Sequence, residues 1–309
     1  MKRKTEVSEL IFKIIAYVVL IIFAALCAYP LLYALGSMFS SYDAIRSSKV
    51  VLWPVGLQGD AFMYVATSNQ FWVNYANTLF VTFMGTIWCL IYSILGAYAL
   101  SKKRLMGRHG FNFFLVFTMW FAAGVIPTYL NYQQTGNVMA SIVGKETMYD
   151  IDLKWLIVIA MGMNATNIVL LRNSFEGVPS EIEEAARIDG ATEMQILMKV
   201  YIPMSKATIA TVALFFGISR WNGYFWAYKV LGTNQSYSWP VQVYMRDLIN
   251  KNTSIGATSA SDDKWIYDEA EATAIVYAMV VFAMIPILVI YPFIQKYFAK
   301  GVNMGGVKE

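Results

Sequence analysis

Histidine and cysteine are almost missing from this chain of 309 residues, which carries one His and two Cys. Cys27 and Cys89 stand far apart without a CxxC spacing, so they imply neither a disulfide scaffold nor a metal site. A single histidine, His109, rules out the paired-histidine motif of a metalloprotease. Charge is scarce too, since Asp, Glu, Lys and Arg together make up 14% of the residues. No glycine-rich loop running into Lys and Ser or Thr occurs, so the chain is not expected to hydrolyse ATP by itself, and no cofactor is assigned to it. The net charge of +4 has no basic, aromatic-interleaved soluble domain behind it, which removes nucleic acid as a partner.

What the chain has in excess is apolar sequence: 58% of residues are hydrophobic and 16% aromatic, the composition of a polytopic membrane protein. A bilayer-spanning helix needs about 20 mostly apolar residues. Six stretches qualify or nearly so, at 14–39, 78–100, 111–131, 153–171, 207–226 and 272–298, which predicts an all-α fold of six transmembrane helices in a single domain, 1–309. The first runs well past the ~7–15 residues of a signal-peptide core and is read as a retained span. The fourth is the shortest and carries Asn164, Thr166 and Asn167, polar side chains that pair with neighbouring helices more often than they bind substrate. No acidic residue falls inside the six, Glu271 only touching an edge, so the intramembrane carboxylate of proton-coupled transporters and aspartyl proteases is lacking.

Basic residues collect on the cytoplasmic side of short loops. Lys2, Arg3, Lys4 and Lys13 precede the first span, Lys102, Lys103, Arg104 and Arg108 follow the second, and Lys296, Lys300 and Lys308 lie at the end of the sixth or beyond it. Both termini are therefore expected in the cytoplasm, as is the segment between spans four and five. That segment, SEIEEAARIDGATEMQILMKVYIP over 180–203, reads as a helix pair. Ser180 with Glu183, and Thr192 with Gln195, have the spacing of capping boxes. Gly190 is the expected elbow, because a helix end in a left-handed conformation strains any residue with a Cβ. Pro203 should close the second helix and permit a new one to begin. Ala185 and Ala186 would let a partner surface approach closely, with Glu184 left for a cation. An ordinary solvated hairpin fits the same spacing.

Arg220, in GISRWNGYFWAY, is the intramembrane charge that the pattern leaves unexplained. Two readings stand side by side. Arg220 could snorkel to the outer headgroups among Trp221 and Trp226 as interface aromatics. Alternatively, Arg220, Trp221, Asn222, Tyr224 and Trp226 line a translocation path, where aromatic faces stack on sugar rings and Arg and Asn bind hydroxyls.

Glu184-Ala185-Ala186, three residues, Gly190, nine residues and then Val200-Tyr201-Ile202-Pro203 resemble the EAA signature of ABC importer permeases, with Val and Ile in its two aliphatic positions. The chain is similar along nearly its full length to the permeases of carbohydrate ABC importers, through CAYPLLYALGSMFS, NTLFVTFMGT with LGAYALSKKRL, GVIPTYL, the Trp221-Asn222 pair and PFIQKYFAKGVNMGGVKE. Within that group it most resembles permeases for complex oligosaccharides in Gram-positive bacteria, departing at Arg220, where a neutral residue or His is expected.

The resemblance implies that the EAA loop, 175–205, is a coupling helix pair seated on a cytoplasmic ATPase dimer. Glu184, Ala185, Ala186, Asp189, Gly190, Ile202 and Pro203 would make or support that contact. It also implies ATP and Mg on the partner ATPase, a second permease subunit in a heterodimer with a homodimer as the other possibility, an extracytoplasmic binding protein that delivers an oligosaccharide, and residence in the bacterial plasma membrane among its lipids. The extracytoplasmic loop, 232–271, would face the binding protein, with its polar run SASDDK flexible. The cytoplasmic tail, 299–309, would reach the ATPases through Lys300, Gly301 and Gly305. A same-architecture importer of a glycerol phosphate ester, with Arg220 as phosphate ligand, and a non-transporting membrane scaffold remain the alternatives.

Overall fold

The computed structural model describes residues 7–121, 123–232, 235–253 and 269–302, and among them every regular element is helical. In chain order these are α1 (Val7–Met38), α2 (Tyr42–Arg46), α3 (Asp60–Thr67), α4 (Asn69–Ser101), α5 (Arg108–Trp120), α6 (Val125–Ile142), α7 (Lys154–Ala160), α8 (Ala165–Glu176), α9 (Ser180–Ile188), α10 (Glu193–Ile196), α11 (Ile202–Met204), α12 (Lys206–Trp221), α13 (Tyr224–Leu231), α14 (Val241–Thr253) and α15 (Glu269–Val302). A π-helical turn, Leu197–Tyr201, joins α10 to α11. The chain divides into two compact units, one of Met1–Phe71 with Met245–Pro286, the other of Trp72–Tyr244 with Ile287–Glu309.

The first unit is knit by aromatic rings: Tyr33 meets Tyr277 edge-on at 5.3 Å, and Phe62 stacks on Phe282 at 5.5 Å. Much of α1 presents Ile, Leu, Val and Phe outward, the face a helix offers to lipid or to a partner span. The second unit holds two apolar cores distributed along α4. One gathers Val81 of α4 with Leu156, Ile157, Val158, Val230 and Trp239. The other gathers Cys89, Ala97 and Tyr98 of α4 with Leu171, Phe175, Ile196, Tyr201 and Phe216.

Among the described residues three helices are long and apolar enough to cross a membrane, Glu9–Met38, Asn69–Ser101 and Ala270–Pro292, and five if each of two bent pairs counts as one crossing. The expected third span, 111–131, is divided, because α5 stops at Trp120 and Gly124, at φ 84°, turns the chain into α6. Pro127 then sits in the first turn of α6, where its missing N–H leaves no helical bond unmade. The expected fourth span, 153–171, breaks between α7 and α8 with a bend of 47°. Gly162 takes φ 87° there, and Asn164 caps α8 by accepting from the Thr166 amide at 2.8 Å. The expected fifth, 207–226, ends at Trp221, since Asn222 and Gly223 turn the chain before α13. The expected outer loop carries helix too: part of 232–271 forms α14, while the run SASDDK lies outside the described residues.

Candidate functional site

The segment 180–203 folds as a hairpin whose elbow is Gly190, at φ 78°. The amide of Ala191 donates to the Ala186 carbonyl at 3.0 Å and that of Gly190 to Arg187 at 3.1 Å, the paired bonds of a left-handed helix stop. Thr192 and Gln195 form the expected capping box at the start of α10. Ser180 and Glu183 do not. Ser180 lies inside the first turn of α9, and Glu183 faces inward to other partners. Pro203 also differs from expectation, because Ile202 before it is helical and the helix runs on to Met204 before Ser205 breaks it with a bend of 86°. The π-helical turn immediately before Ile202 accommodates the proline.

Glu183 and Glu193 hold the hairpin to the end of α4. The Lys102 ammonium lies 2.8 Å from Glu183 Oε2, between the Tyr201 ring at 3.9 Å and the Tyr98 ring at 4.1 Å. Tyr201 donates its hydroxyl to Glu183, Tyr98 donates to Glu193 at 2.8 Å, and Arg104 pairs with Glu193 at 2.5 Å. Arg187 reaches both carboxylates, at 2.5 and 3.3 Å. Burial pushes the Glu183 carboxyl up, but the bonds from Lys102 and Tyr201 outweigh it and hold the group below its ordinary range. At Lys102 burial wins over the attraction of Glu183 and pulls the ammonium down from its ordinary value. Sequence reading took Lys102 and Arg104 for topology signals alone. Tyr98 at the end of a span, with basic residues three or more positions on, was the available sign of an aromatic and cationic lock.

The other face of the hairpin is bare. Glu184, Ala185 and Asp189 are exposed, and Glu184 has no hydrogen bond or ion pair among the described residues. Ile188 stands 86% exposed, with Met194 and Met198 also outward. Ala186 and Ile202 are half-buried behind them. An exposed apolar side chain thus stands beside a carboxylate without a partner among the described residues.

The second feature is the break between α7 and α8. Arg220 does not snorkel: it is 8% exposed, and its guanidinium donates to the carbonyls of Ile157 at 2.5 Å, of Val158 at 3.1 Å and of Met161, with Cys89 Sγ at 3.0 Å. It thereby satisfies the carbonyls freed at the end of α7, where positive charge is also favoured. Two glycines admit it, since a Cβ on Gly85 would lie 2.9 Å from Arg220 Nε and one on Gly162 2.6 Å away. Trp221 is buried, stacked edge-on against Tyr75 at 6.2 Å, and Trp226 packs on Tyr132 at 5.2 Å. Asn222 and Tyr224 are exposed, so the structure does not bring these five into one cluster. Beside the break lies an open recess of about 370 Å³ lined by Gly162, Asn164, Thr166, Asn167, Phe216 and Ser219 among others.

Lys300 and Gly301 fall in the last turns of α15, and Gly305 lies outside the described residues.

Comparison with known proteins places the chain in a family. The family described as binding-protein-dependent transport system inner membrane component matches residues 10–304. The polygalacturonan/rhamnogalacturonan transport system permease protein YtcP of Bacillus subtilis is 34% identical over 298 residues, covering 96% of this chain and 98% of its own. The arabinooligosaccharides transport system permease protein AraQ of Halalkalibacterium halodurans is 26% identical, with both chains covered in full. A chain in the crystal structure of a bacterial ABC transporter involved in the import of the acidic polysaccharide alginate superposes with a TM-score of 0.80 at 38% identity, over 96% of this chain and 100% of that one.

Proposed function

This chain belongs to the inner membrane components of binding-protein-dependent transport systems, and from that premise we propose that it is a permease subunit of an ABC importer that carries acidic oligosaccharides into the cell. One observation carries the coupling role: the two faces of the 180–203 hairpin are chemically opposite, one locked by Glu183 and Glu193 to α4, the other bare at Glu184, Ala185 and Ile188. A push on the bare face by a cytoplasmic ATPase is delivered through Lys102 and Tyr201 to the end of α4, and through Phe175 and Tyr201, which touch edge-on at 5.7 Å, to α8. α4 runs past the break that Arg220 holds and α8 begins at it, so movement at the hairpin reaches that break.

The substrate class takes its support from relatives named for polygalacturonan, rhamnogalacturonan and alginate. In this reading the chain crosses the bilayer six times with both termini inside, the α5–α6, α7–α8 and α12–α13 segments each contributing one bent crossing. It works beside a second, different permease subunit, two ATPases that hold ATP and Mg, and an extracytoplasmic binding protein. ATP-driven closure of the ATPases rocks the hairpin and turns the path from outward-open to inward-open.

Uptake of radiolabelled trigalacturonate by cells with and without this chain tests the reading. Saturable uptake that disappears on deletion and returns with the wild-type chain is expected. Uptake indifferent to the deletion contradicts it.

A further inference from the structure

We infer that the recess at the α7–α8 break is a binding site for the carboxylate of an acidic sugar unit in transit. The inference rests on the acidic-oligosaccharide reading above and assigns it a place.

Four observations meet there. The recess, about 370 Å³, falls within the range of about 300–1,000 Å³ typical of small-molecule sites. Asn167, on its wall, is only 5% exposed, yet its side chain makes no hydrogen bond among the described residues. Its polar atoms are not sealed off and can meet a ligand in the recess. Asn164 uses its oxygen to cap α8, which leaves its amide nitrogen for a ligand, and the Thr166 and Ser219 hydroxyls on the same wall are likewise unbonded among the described residues. The recess opens on the N-terminal end of α8, a helix of 12 residues whose free amides and dipole favour negative charge.

The fourth observation decides the sign of the ligand. Arg220 stands directly behind Gly162, its Nε buried and without a hydrogen bond, and among the described residues no carboxylate pairs with it. Neutral carbonyls solvate the guanidinium but leave its charge uncompensated in a low-dielectric place. Among the described residues no acidic one lines the recess. A cation is repelled, a neutral sugar finds hydroxyl partners only, and a carboxylate gains both the donors and the charge. Half-helices that present their ends to a solute inside the membrane are an established way to build such a site.

The test uses the complete importer with its binding protein and follows uptake of trigalacturonate and of its fully methyl-esterified form. Asn167→Ala removes the amide, and Asn167→Asp places a negative charge at the same position. With trigalacturonate, Asn167→Asp is expected to transport at least tenfold more slowly than Asn167→Ala, and with the methyl ester the two should agree within about twofold. Ser219→Asp introduces the same charge from the exposed face of α12 and should repeat the result, so a folding failure of Asn167→Asp, seen as loss of co-purifying subunits, leaves the question decidable. Equal uptake of trigalacturonate by the Ala and Asp variants, or equal losses for acid and ester, overturns the site. Failure of the wild-type importer to transport trigalacturonate while it transports neutral oligosaccharides overturns the substrate class, and this site with it.

Discussion

Adjacent carboxylates at Glu183 and Glu184 should have unlike roles, and Glu→Gln at each separates them. Glu183 is largely buried and meets Lys102 at 2.8 Å, Arg187 at 2.5 Å and the Tyr201 hydroxyl. Removing one partner of a buried ion pair costs about 3–5 kcal/mol. Gln keeps the shape and one acceptor oxygen, and Arg187 is half in solvent, so the loss should be nearer to about 2 kcal/mol. If the hairpin opens as a local unit, amide exchange over 180–204 accelerates about 30-fold in Glu183→Gln, because 1.4 kcal/mol is tenfold. Glu184 has no partner among the described residues, so Glu184→Gln should leave exchange unchanged while weakening retention of the ATPase. Hydrogen–deuterium exchange with mass spectrometry on the purified importer reads the first effect, and subunit recovery after washing reads the second. Exchange in Glu183→Gln within about threefold of wild type, or equal acceleration in Glu184→Gln, would refute the two-faced hairpin.

The lock also has a pH signature: the folded Glu183 carboxyl lies below its ordinary value, so its contribution is complete above about pH 4.5 and is lost as pH falls through the depressed value. Exchange protection of the hairpin should therefore be flat from pH 7 to 5 after correction for intrinsic rates, and fall only in stronger acid. Gly190→Pro cannot adopt φ 78° and also loses the amide that bonds Arg187, so transport should fail with the spans still inserted; normal uptake would remove the elbow. Arg220→Met strands carbonyls at Ile157, Val158 and Met161, at about 1–3 kcal/mol for each buried group, and should sharply lower the heat resistance of the purified chain in detergent. Gly162→Ala should do likewise, because its Cβ would meet Arg220 Nε at 2.6 Å and φ 87° costs about 1–2 kcal/mol for a residue with a Cβ. A melting temperature equal to wild type in either variant would show that Arg220 is not the cap.

The hairpin was readable in sequence where its logic is local. Gly190, the Thr192–Gln195 box and the exposed Glu184 follow from chemistry within a few residues, and each stands as the spacing implied. Ser180–Glu183 had the same spacing, but Lys102 and Tyr201, distant in sequence, offer Glu183 more than a helix-cap bond does. Arg220 was the residue least accessible to pattern reading. Composition says that a charge in an apolar stretch must reach water or a partner, yet the partner here is the backbone of another helix, and no side-chain motif records that carbonyls will be exposed by a break 60 residues earlier. Gly162 and Asn164 were the local signs of the break, and Gly85 the sign that something bulky packs against α4. Long apolar runs located helical segments and said little of their continuity, because hydropathy is summed over a window and a single glycine at positive φ is not.

Photo-crosslinking from position 188 tests the central claim most directly. A benzoyl-phenylalanine at Ile188, 86% exposed on the bare face of α9, should capture the ATPase subunit in native membranes, with a yield that changes when ATP is added. The same probe at the buried Ile196 should not capture it. Absence of an ATPase adduct from 188, under conditions where a control importer gives one, would contradict the account of this hairpin as the element through which the ATPase moves the permease.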